Sequence, residues 1–579
     1  MRITNFAPMM QKMTIPYAIA NYSEIMEKGY FYVDKTNYLP LLEKHKAPVY
    51  LRPRRFGKSL LCSTLYYYYE RTQASRFGEL FGSTWIGRNP TEKQGQMIVI
   101  RFNFSKMAVC NNMEGMEKNF NDLNVGPIDV AAYHNRDILG EVAFTDTKSA
   151  SKMLEDLLRH IKHNNLPKAY IIIDEYDNFT NQLLTECKDG LYEDVTTGDS
   201  FLRTFFKVIK AGIEEGTIDT CFCTGVLPVT MDDLTSGFNI AQIITLKPEF
   251  YAMLGFTHDE AKDYLNYVLD TYVGSREQFD ELWNLIISNY DGYQFLPGGE
   301  KLFNSTILTY FFQNFVTEGN KIPRELIDEN LRTDIKWFRR LAMTQENIEN
   351  IFDSLLNGDG LNYNEDDLSS KFNKQRFFDP TFYPVSLFYL GMTTIEDNYT
   401  MCLPNLTMKS IFFDYYEEIN TIDRHADLYV PAYRQFQNDG LLEPLVQNYF
   451  EKYLGQFPAQ AFDKVNENFV RCSFFELLSR YLSSWYTFAI EFNLPSGRLD
   501  FWMTGKAGTV RHNDDRIIEF KYFRTPEAAK VEAATEPDAE SVSQVKAYAR
   551  DINAMFPKHV VRTYVCYICA NKSWKCWEV

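Results

Sequence analysis

The chain has no apolar stretch of the ~18 residues that a membrane-spanning helix requires. Residues 1–15 lack the apolar run of a secretory signal, so a cytoplasmic protein with no membrane partner is expected. Cysteine is sparse, with 10 scattered over 579 residues, which argues for reduced thiols and against a disulfide framework. Cys566, Cys569 and Cys576 invite a zinc site, but no histidine or second Cys-x-x-Cys accompanies them. They fall in an alternating apolar stretch, where buried strand cysteines are the expected reading. Positive charge is also short: the net charge is −17, so contact with nucleic acid must come from a local basic groove or from metal ions set against carboxylates. No repeat of solenoid period and no long low-complexity tract is present, which excludes a repeat scaffold. No helicase motif set is present either, which makes a translocating motor a poor reading.

What is present is a large apolar complement, 45% hydrophobic and 15% aromatic, enough for several packed cores. At ~150 residues per domain the length allows three or four units. Up to about residue 250, apolar strand-like runs alternate with helical stretches: Val49-Tyr50-Leu51, then 97–104, 170–173 and 220–225. That pattern predicts a parallel sheet wrapped by helices. From 256 the texture turns to amphipathic helices (258–271, 276–289), then a strand pair within 387–403 and a helix over 407–419. A helical lid followed by a winged-helix-like module is expected there, placed to relay nucleotide state or to touch DNA. After a mostly helical stretch (420–470) come a helix (474–484) and strands at 486–494, 498–503 and 516–523. A mobile loop (526–540), a helix (541–552) and a closing strand (560–569) complete an α/β/α order. The expected domains are 1–255, 256–440 and 441–579.

The first chemical signature is Arg52-Pro53-Arg54-Arg55-Phe56-Gly57-Lys58-Ser59, between a strand and a helix that begins at Leu60. In a phosphate loop, backbone N–H groups at a helix N-terminus cradle the phosphates, the lysine reaches the β/γ-phosphates and the following hydroxyl helps hold Mg²⁺. Gly57-Lys58-Ser59 supplies that end of the motif, while Arg52 stands where the first glycine usually does. The second element, Tyr170-Ile171-Ile172-Ile173-Asp174-Glu175, is an apolar strand ending in two acids. Asp174 is placed to orient magnesium and Glu175 to polarise the attacking water. Nucleotide contact is therefore expected from Arg54, Arg55, Phe56, Gly57, Lys58, Ser59 and Leu60, with Ser59 and Asp174 on the metal. Arg54 and Arg55 either neutralise phosphate or pair with acids elsewhere. Thr224 is either a polar sensor of the γ-phosphate or a satisfied strand-end hydroxyl.

The run Tyr32-Val33-Asp34-Lys35-Thr36 and the Arg52–Ser59 loop are followed by Ile173-Asp174-Glu175-Tyr176-Asp177 and Thr224-Gly225-Val226. Ser236-Gly237-Phe238-Asn239, Leu254-Gly255-Phe256-Thr257 and Tyr290-Asp291-Gly292-Tyr293 come next. In this order they resemble the AAA-ATPase-like family of bacterial proteins, over about residues 10–320. That resemblance implies an ATP-binding P-loop domain in which the altered loop glycine is usual.

A second signature pairs Gly497-Arg498-Leu499-Asp500 with Ile517-Ile518-Glu519-Phe520-Lys521. Side chains alternate along a strand, so Glu519 and Lys521 share a face, and a neighbouring strand carrying Asp500 brings the carboxylates together. Two carboxylates and a backbone carbonyl can hold Mg²⁺ with waters remaining, one of them the nucleophile on a phosphodiester. Lys521 then positions that water or stabilises the developing charge. Gln544 and Tyr548 lie four apart, on one helical face. Glu491 is either a further metal ligand, the favoured reading, or an exposed strand residue. The ensemble over about 440–579 resembles the PD-(D/E)xK nuclease superfamily. By that resemblance Asp500, Glu519 and Lys521 are catalytic and Gln544 is an accessory helix residue.

The expected fold class is thus α/β: an N-terminal P-loop NTPase, a helical lid and winged-helix-like middle, and a C-terminal α/β/α restriction-endonuclease-like domain. The expected function is an ATP-binding ATPase coupled to a Mg²⁺-dependent nuclease, with Mn²⁺ as a substitute, DNA favoured over RNA and oligomerisation open. The alternative is a nucleotide switch or scaffold whose C-terminal fold binds DNA or a partner without cutting.

Overall fold

The computed structural model describes residues 14–579 other than 235–236, 324, 329–334, 343–347, 370 and 458–464. The first thirteen residues of the N-terminal stretch, and Ser236 of the family-like motif, lie outside the described residues.

The strand-like runs of the first half become β1 (Pro48–Leu51), β2 (Ile98–Asn103), β3 (Ala169–Asp174) and β4 (Ile218–Gly225), joined by the two-residue β5 (Gln242–Ile243). β1, β3 and β4 are buried along their whole length, as expected for continuous apolar runs sandwiched between helices. All pairings are parallel and the order is β2-β3-β4-β1-β5. Tyr50 pairs with Thr224, and Thr224 pairs on its other side with Asp174. The ends of β1, β3 and β4 therefore form one row at the carboxyl edge of the sheet, where open parallel sheets collect their ligands.

Three helices, His258–Val268, Phe279–Tyr290 and Ser305–Thr317, share a separate core built on Tyr264, Leu265, Ile286, Phe311 and Phe312. The first begins with a capping box between Thr257 and Glu260, and Glu260 is also bonded by Lys35 at 2.6 Å. This explains part of the 32–36 motif: Lys35 ties the N-terminal segment to the lid. His258 stands 2.8 Å from Asp291, whose hydrogen bond raises the histidine above its ordinary 6.5 despite partial burial, with Glu300 adding to the rise. A raised folded value means that the pair stabilises the lid below the ordinary pKa and loses that contribution as pH rises through the raised one. The gap in thermal midpoint between wild type and His258→Gln is therefore expected to be wide near pH 5.5 and to close near pH 8.5, read by thermal unfolding.

The middle of the chain runs helix (Ile348–Asn357), β6 (Leu361–Asn362), helices Glu365–Ser369, Lys374–Phe377 and Tyr383–Tyr389, then β7 (Thr394–Ile395) and β8 (Thr400–Cys402). The three strands form an antiparallel sheet in the order β6-β8-β7. One expectation changes here. The strand pair is confined to 394–402, because 383–389 is a helix buried on every side, and a short continuous apolar run reads alike as buried strand or buried helix. Phe388 of that helix is edge-on to Phe295, and Gly391, just past its end, lies against Pro53 of the phosphate loop.

The C-terminal sheet is β9 (Tyr486–Leu494), β10 (Gly497–Gly505), β11 (Asp514–Phe523), β12 (Val560–Cys569) and β13 (Trp574–Glu578), in the order β13-β12-β11-β10-β9. Helix Glu467–Leu482 covers one side, with Phe474 edge-on to Phe501 and Phe520. Helix Ala539–Met555 carries the parallel crossover from β11 to β12 and shares a core with Leu499, Trp502, Ile517 and Val565. The first helix starts seven residues earlier than the expected 474, because Asn466 caps it by accepting from the N–H groups of Asn468 and Phe469. The expected loop 526–540 contains a helix, Ala528–Ala533, pinned by buried Val531. β12 is not the closing strand: a turn with Lys572 at φ +70° returns the chain as β13, setting Cys576 opposite Cys566. Cys566 and Cys569 are buried strand residues, as expected. No helix among the described residues is long and apolar enough to cross a membrane.

Candidate functional site

At the end of β1 the chain turns through two left-handed residues, Arg55 (φ +72°) and Gly57 (φ +93°), and enters helix Lys58–Tyr69. Gly57 is required by its backbone, since a side chain at that φ is strained. The loop is held from outside: Asn304 Nδ2 donates to the Arg54 carbonyl at 3.1 Å and Thr306 N–H to that of Arg55 at 3.1 Å. Arg52, in place of the usual first glycine, is 1% exposed and rivets the loop's base. It donates to the carbonyls of Thr245 and Tyr251 and lies over the rings of Tyr50 and Phe295 at 4.6 and 4.0 Å. Nothing in the sequence signalled that role, because its partners are some 200 residues away.

Lys58 is buried, and its Nζ donates to the carbonyls of Arg52 (2.8 Å) and Pro53 (2.9 Å). Burial pulls its pKa down, while the charges of Glu175, Asp177 and Asp174 oppose that. Asp174 is fully buried and both of its carboxylate oxygens lack a hydrogen-bond partner. A carboxylate in that condition is costly unless a cation meets it, so the donor set fits Mg²⁺. Glu175 is held at φ +53°, accepts from Asn178 Nδ2 at 3.1 Å, and has its pKa raised mainly by burial. A glutamate in that left-handed backbone is strained. Thr224 donates its hydroxyl to Tyr50 O at 2.7 Å, so that proton is committed to the sheet, the strand-end alternative for this residue.

Arg54, Arg55, Phe56, Gly57, Lys58, Ser59, Leu60 and Glu175 line a pocket of about 550 Å³, in the size range of small-molecule sites. Its apolar end carries Phe31 stacked on Tyr264 at 4.1 Å, two residues that sequence reasoning did not single out. Phe31 directly precedes the 32–36 motif, a signal that was available.

In the C-terminal sheet, pairings Phe501↔Ile518 and Phe501↔Ile490 set Asp500 beside Glu519 on β11 and Glu491 on β9. Asp500 Oδ2 accepts from Phe520 N–H at 2.9 Å and Oδ1 from Arg471 Nη1 at 2.6 Å. Glu519 Oε1 accepts from Lys521 Nζ at 2.8 Å, while its Oε2 is buried without a partner. Burial, then the charge of Asp500, pushes Glu519 up to about 7; burial also raises Asp500 against the pull of Arg471. The unpartnered Glu519 oxygen and the neighbouring Asp500 fit a divalent cation, and Arg471 supplies the compensating charge on Asp500. Glu491, expected as a metal ligand, instead faces cations: Arg498 at 2.7 Å, Lys409 at 3.3 Å and Arg471 at 3.8 Å. Gln544 donates to the Tyr548 hydroxyl at 2.6 Å, which donates to the Arg498 carbonyl at 2.8 Å. Gln544 thus braces the strand that carries Asp500.

Sequence reasoning missed Glu467 and Arg471, one helical turn apart on helix Glu467–Leu482 and both electrostatically coupled to Asp500. Asn466 followed by an acid was the available start signal. A buried acidic triad, Asp414, Glu417 and Glu476, stands apart from these residues, with its carboxylate oxygens close enough to share an ion. Arg424 reaches Glu417 at 2.8 Å, and Arg480 reaches Glu417 at 2.9 Å and Glu476 at 2.5 Å, so ion pairs answer most of its charge.

The two sites define a phosphate-loop domain joined to a mixed-sheet domain with an acid–acid–lysine constellation. Residues 16–235 match the family described as Predicted AAA-ATPase, and residues 465–578 match the PD-(D/E)XK nuclease superfamily. The chain thus holds one segment matching each of these families. It is also similar to a protein of Azotobacter chroococcum mcd 1, described as an uncharacterized protein in the vnfD 5′ region. The two are 27% identical over 262 residues, 43% of this chain and 44% of that protein. The chain thus matches less than half the length of that curated relative.

Proposed function

We propose that this chain is an ATP-binding ATPase coupled to a divalent-metal-dependent nuclease. The units are 1–255 for nucleotide, 256–440 for lid and winged-helix-like relay, and 441–579 for cleavage. The observation that carries the reading is the pair of buried, unpartnered carboxylates: both oxygens of Asp174, whose charge acts on the phosphate-loop Lys58, and one of Glu519 at the C-terminal sheet. Mg²⁺, or Mn²⁺ in its place, supplies the missing positive charge at each site and, when bound, makes a water more acidic. Lys58 exchanges the carbonyls of Arg52 and Pro53 for β/γ-phosphate oxygens, Ser59 and Asp174 orient the nucleotide's metal, and Glu175 takes a proton from the attacking water. At the second site Asp500 and Glu519 hold the ion and Lys521 faces the charge that develops on phosphorus. Water adds to phosphorus as the bond to the leaving sugar oxygen breaks.

Incubation with DNA and RNA substrates, with and without ATP and with Mg²⁺ or Mn²⁺, tests this directly. Metal-dependent cleavage that responds to ATP is expected, on DNA before RNA. The Arg471 contact on Asp500 favours a second reading, a nucleotide switch with a non-cleaving nucleic-acid- or partner-binding domain. ATP binding without cleavage of any substrate under all metal conditions would establish that reading instead. Lys58→Ala is expected to weaken ATP binding at least ~10-fold, about 1.4 kcal/mol, by isothermal calorimetry, because a charge-assisted contact to phosphate is lost. Unchanged affinity would remove the phosphate-loop assignment.

A further inference from the structure

Beside Asp500 a cleft of about 620 Å³ opens between the lid, the winged-helix-like unit and the β9–β10 edge of the C-terminal sheet. Its charged lining is Lys301, Lys409, Arg471 and Arg498 against Glu396 and Glu491, an excess of two positive charges on a chain of net −17. Three of the four cations converge on the single carboxylate of Glu491, and the buried Arg471 Nε has no partner at all. Arg471 shares its charge with Asp500, so two carboxylates answer three cations and the cluster is an anion site partly filled by internal acids. Arg471 also touches Asp500 at 2.6 Å, which makes the cleft continuous with the proposed cleavage centre. A compact space of this volume is about 11 Å across, too narrow to enclose a duplex, whose major and minor grooves together span about 18 Å. Phe492 in the wall offers an aromatic ring, and bases stack on aromatics irrespective of sequence.

We propose that this cleft is the path of a single nucleic-acid strand, its phosphates held by Lys301, Lys409, Arg471 and Arg498 as it is led to Asp500. The proposal rests on the nuclease reading for the meaning of its destination, but its test does not require cleavage. Fluorescence anisotropy in EDTA compares a labelled 20-nucleotide single strand with the same sequence as a blunt duplex. Lys301 and Arg498 are both exposed, so the double variant Lys301→Gln/Arg498→Gln is expected to keep the wild-type thermal midpoint. Loss of two phosphate contacts lowers the slope of log affinity against log salt by about 1.4 and weakens single-strand binding at least ~10-fold near 0.1 M salt. The charge-preserving Lys301→Arg/Arg498→Lys variant retains binding. Unchanged single-strand affinity in the Gln variant, or a blunt duplex bound by wild type as tightly as the single strand, overturns the proposal. Wild-type cleavage that the Gln variant leaves intact overturns the path but not the nuclease. Strand binding that obeys these expectations without any cleavage retains the path and removes the nuclease.

Discussion

Asp500→Asn is expected to take metal-dependent cleavage to background, a loss of at least ~10³-fold, while ATP binding stays unchanged. The carboxylate is 5% exposed and stands beside Glu519 across the β10–β11 pair, so its charge is half of the pair that calls for a cation. Asparagine keeps the shape and one acceptor for Phe520 N–H but removes that charge, leaving a neutral amide against Arg471. An uncompensated buried guanidinium destabilises a fold, so the variant's thermal midpoint is measured alongside its activity. Glu519→Gln provides the second arm, because it leaves the Asp500–Arg471 pair intact and still strips the site of a metal-facing charge. Cleavage at wild-type rate in both variants would place the chemistry elsewhere.

Glu175→Gln is expected to slow ATP hydrolysis by on the order of 10²-fold with ATP affinity within a factor of two or three of wild type, since a general base acts in the transition state and not in binding. Glutamine preserves side-chain length and can still pair with Asn178, and it tolerates the same left-handed backbone no worse than glutamate does. Phosphate release under single-turnover conditions, with calorimetric affinity on the same sample, separates the two effects. Equal loss of affinity and rate would show that Glu175 holds the loop rather than activating water.

Much of the architecture was legible because both signatures sit on β-branched apolar runs, Ile171 to Ile173 and Ile517-Ile518, which suit strands. Boundaries failed where that redundancy is missing. The helix at 383–389 is buried on all sides, so its periodicity carries no information. The helix from Glu467 was shortened in the reading because its cap is a single asparagine, and with the cap went Glu467 and Arg471.

By itself the sequence determined the chemistry types at Lys58, Asp174, Glu175, Asp500, Glu519 and Lys521, and the strands that carry Asp174, Asp500, Glu519 and Lys521. These follow from local rules: alternation along a strand, a glycine where φ is positive, a lysine and a hydroxyl after it. Tertiary structure alone decided which charges meet. Arg52 is a rivet because Thr245 and Tyr251 come to it, Thr224 turns into the sheet because Tyr50 O lies across the register, and Glu491 is a counter-ion because Lys409, Arg471 and Arg498 arrive from three different elements. Coulomb energy depends on distance through space, and distance through space between residues hundreds of positions apart is set by packing, not by any local pattern.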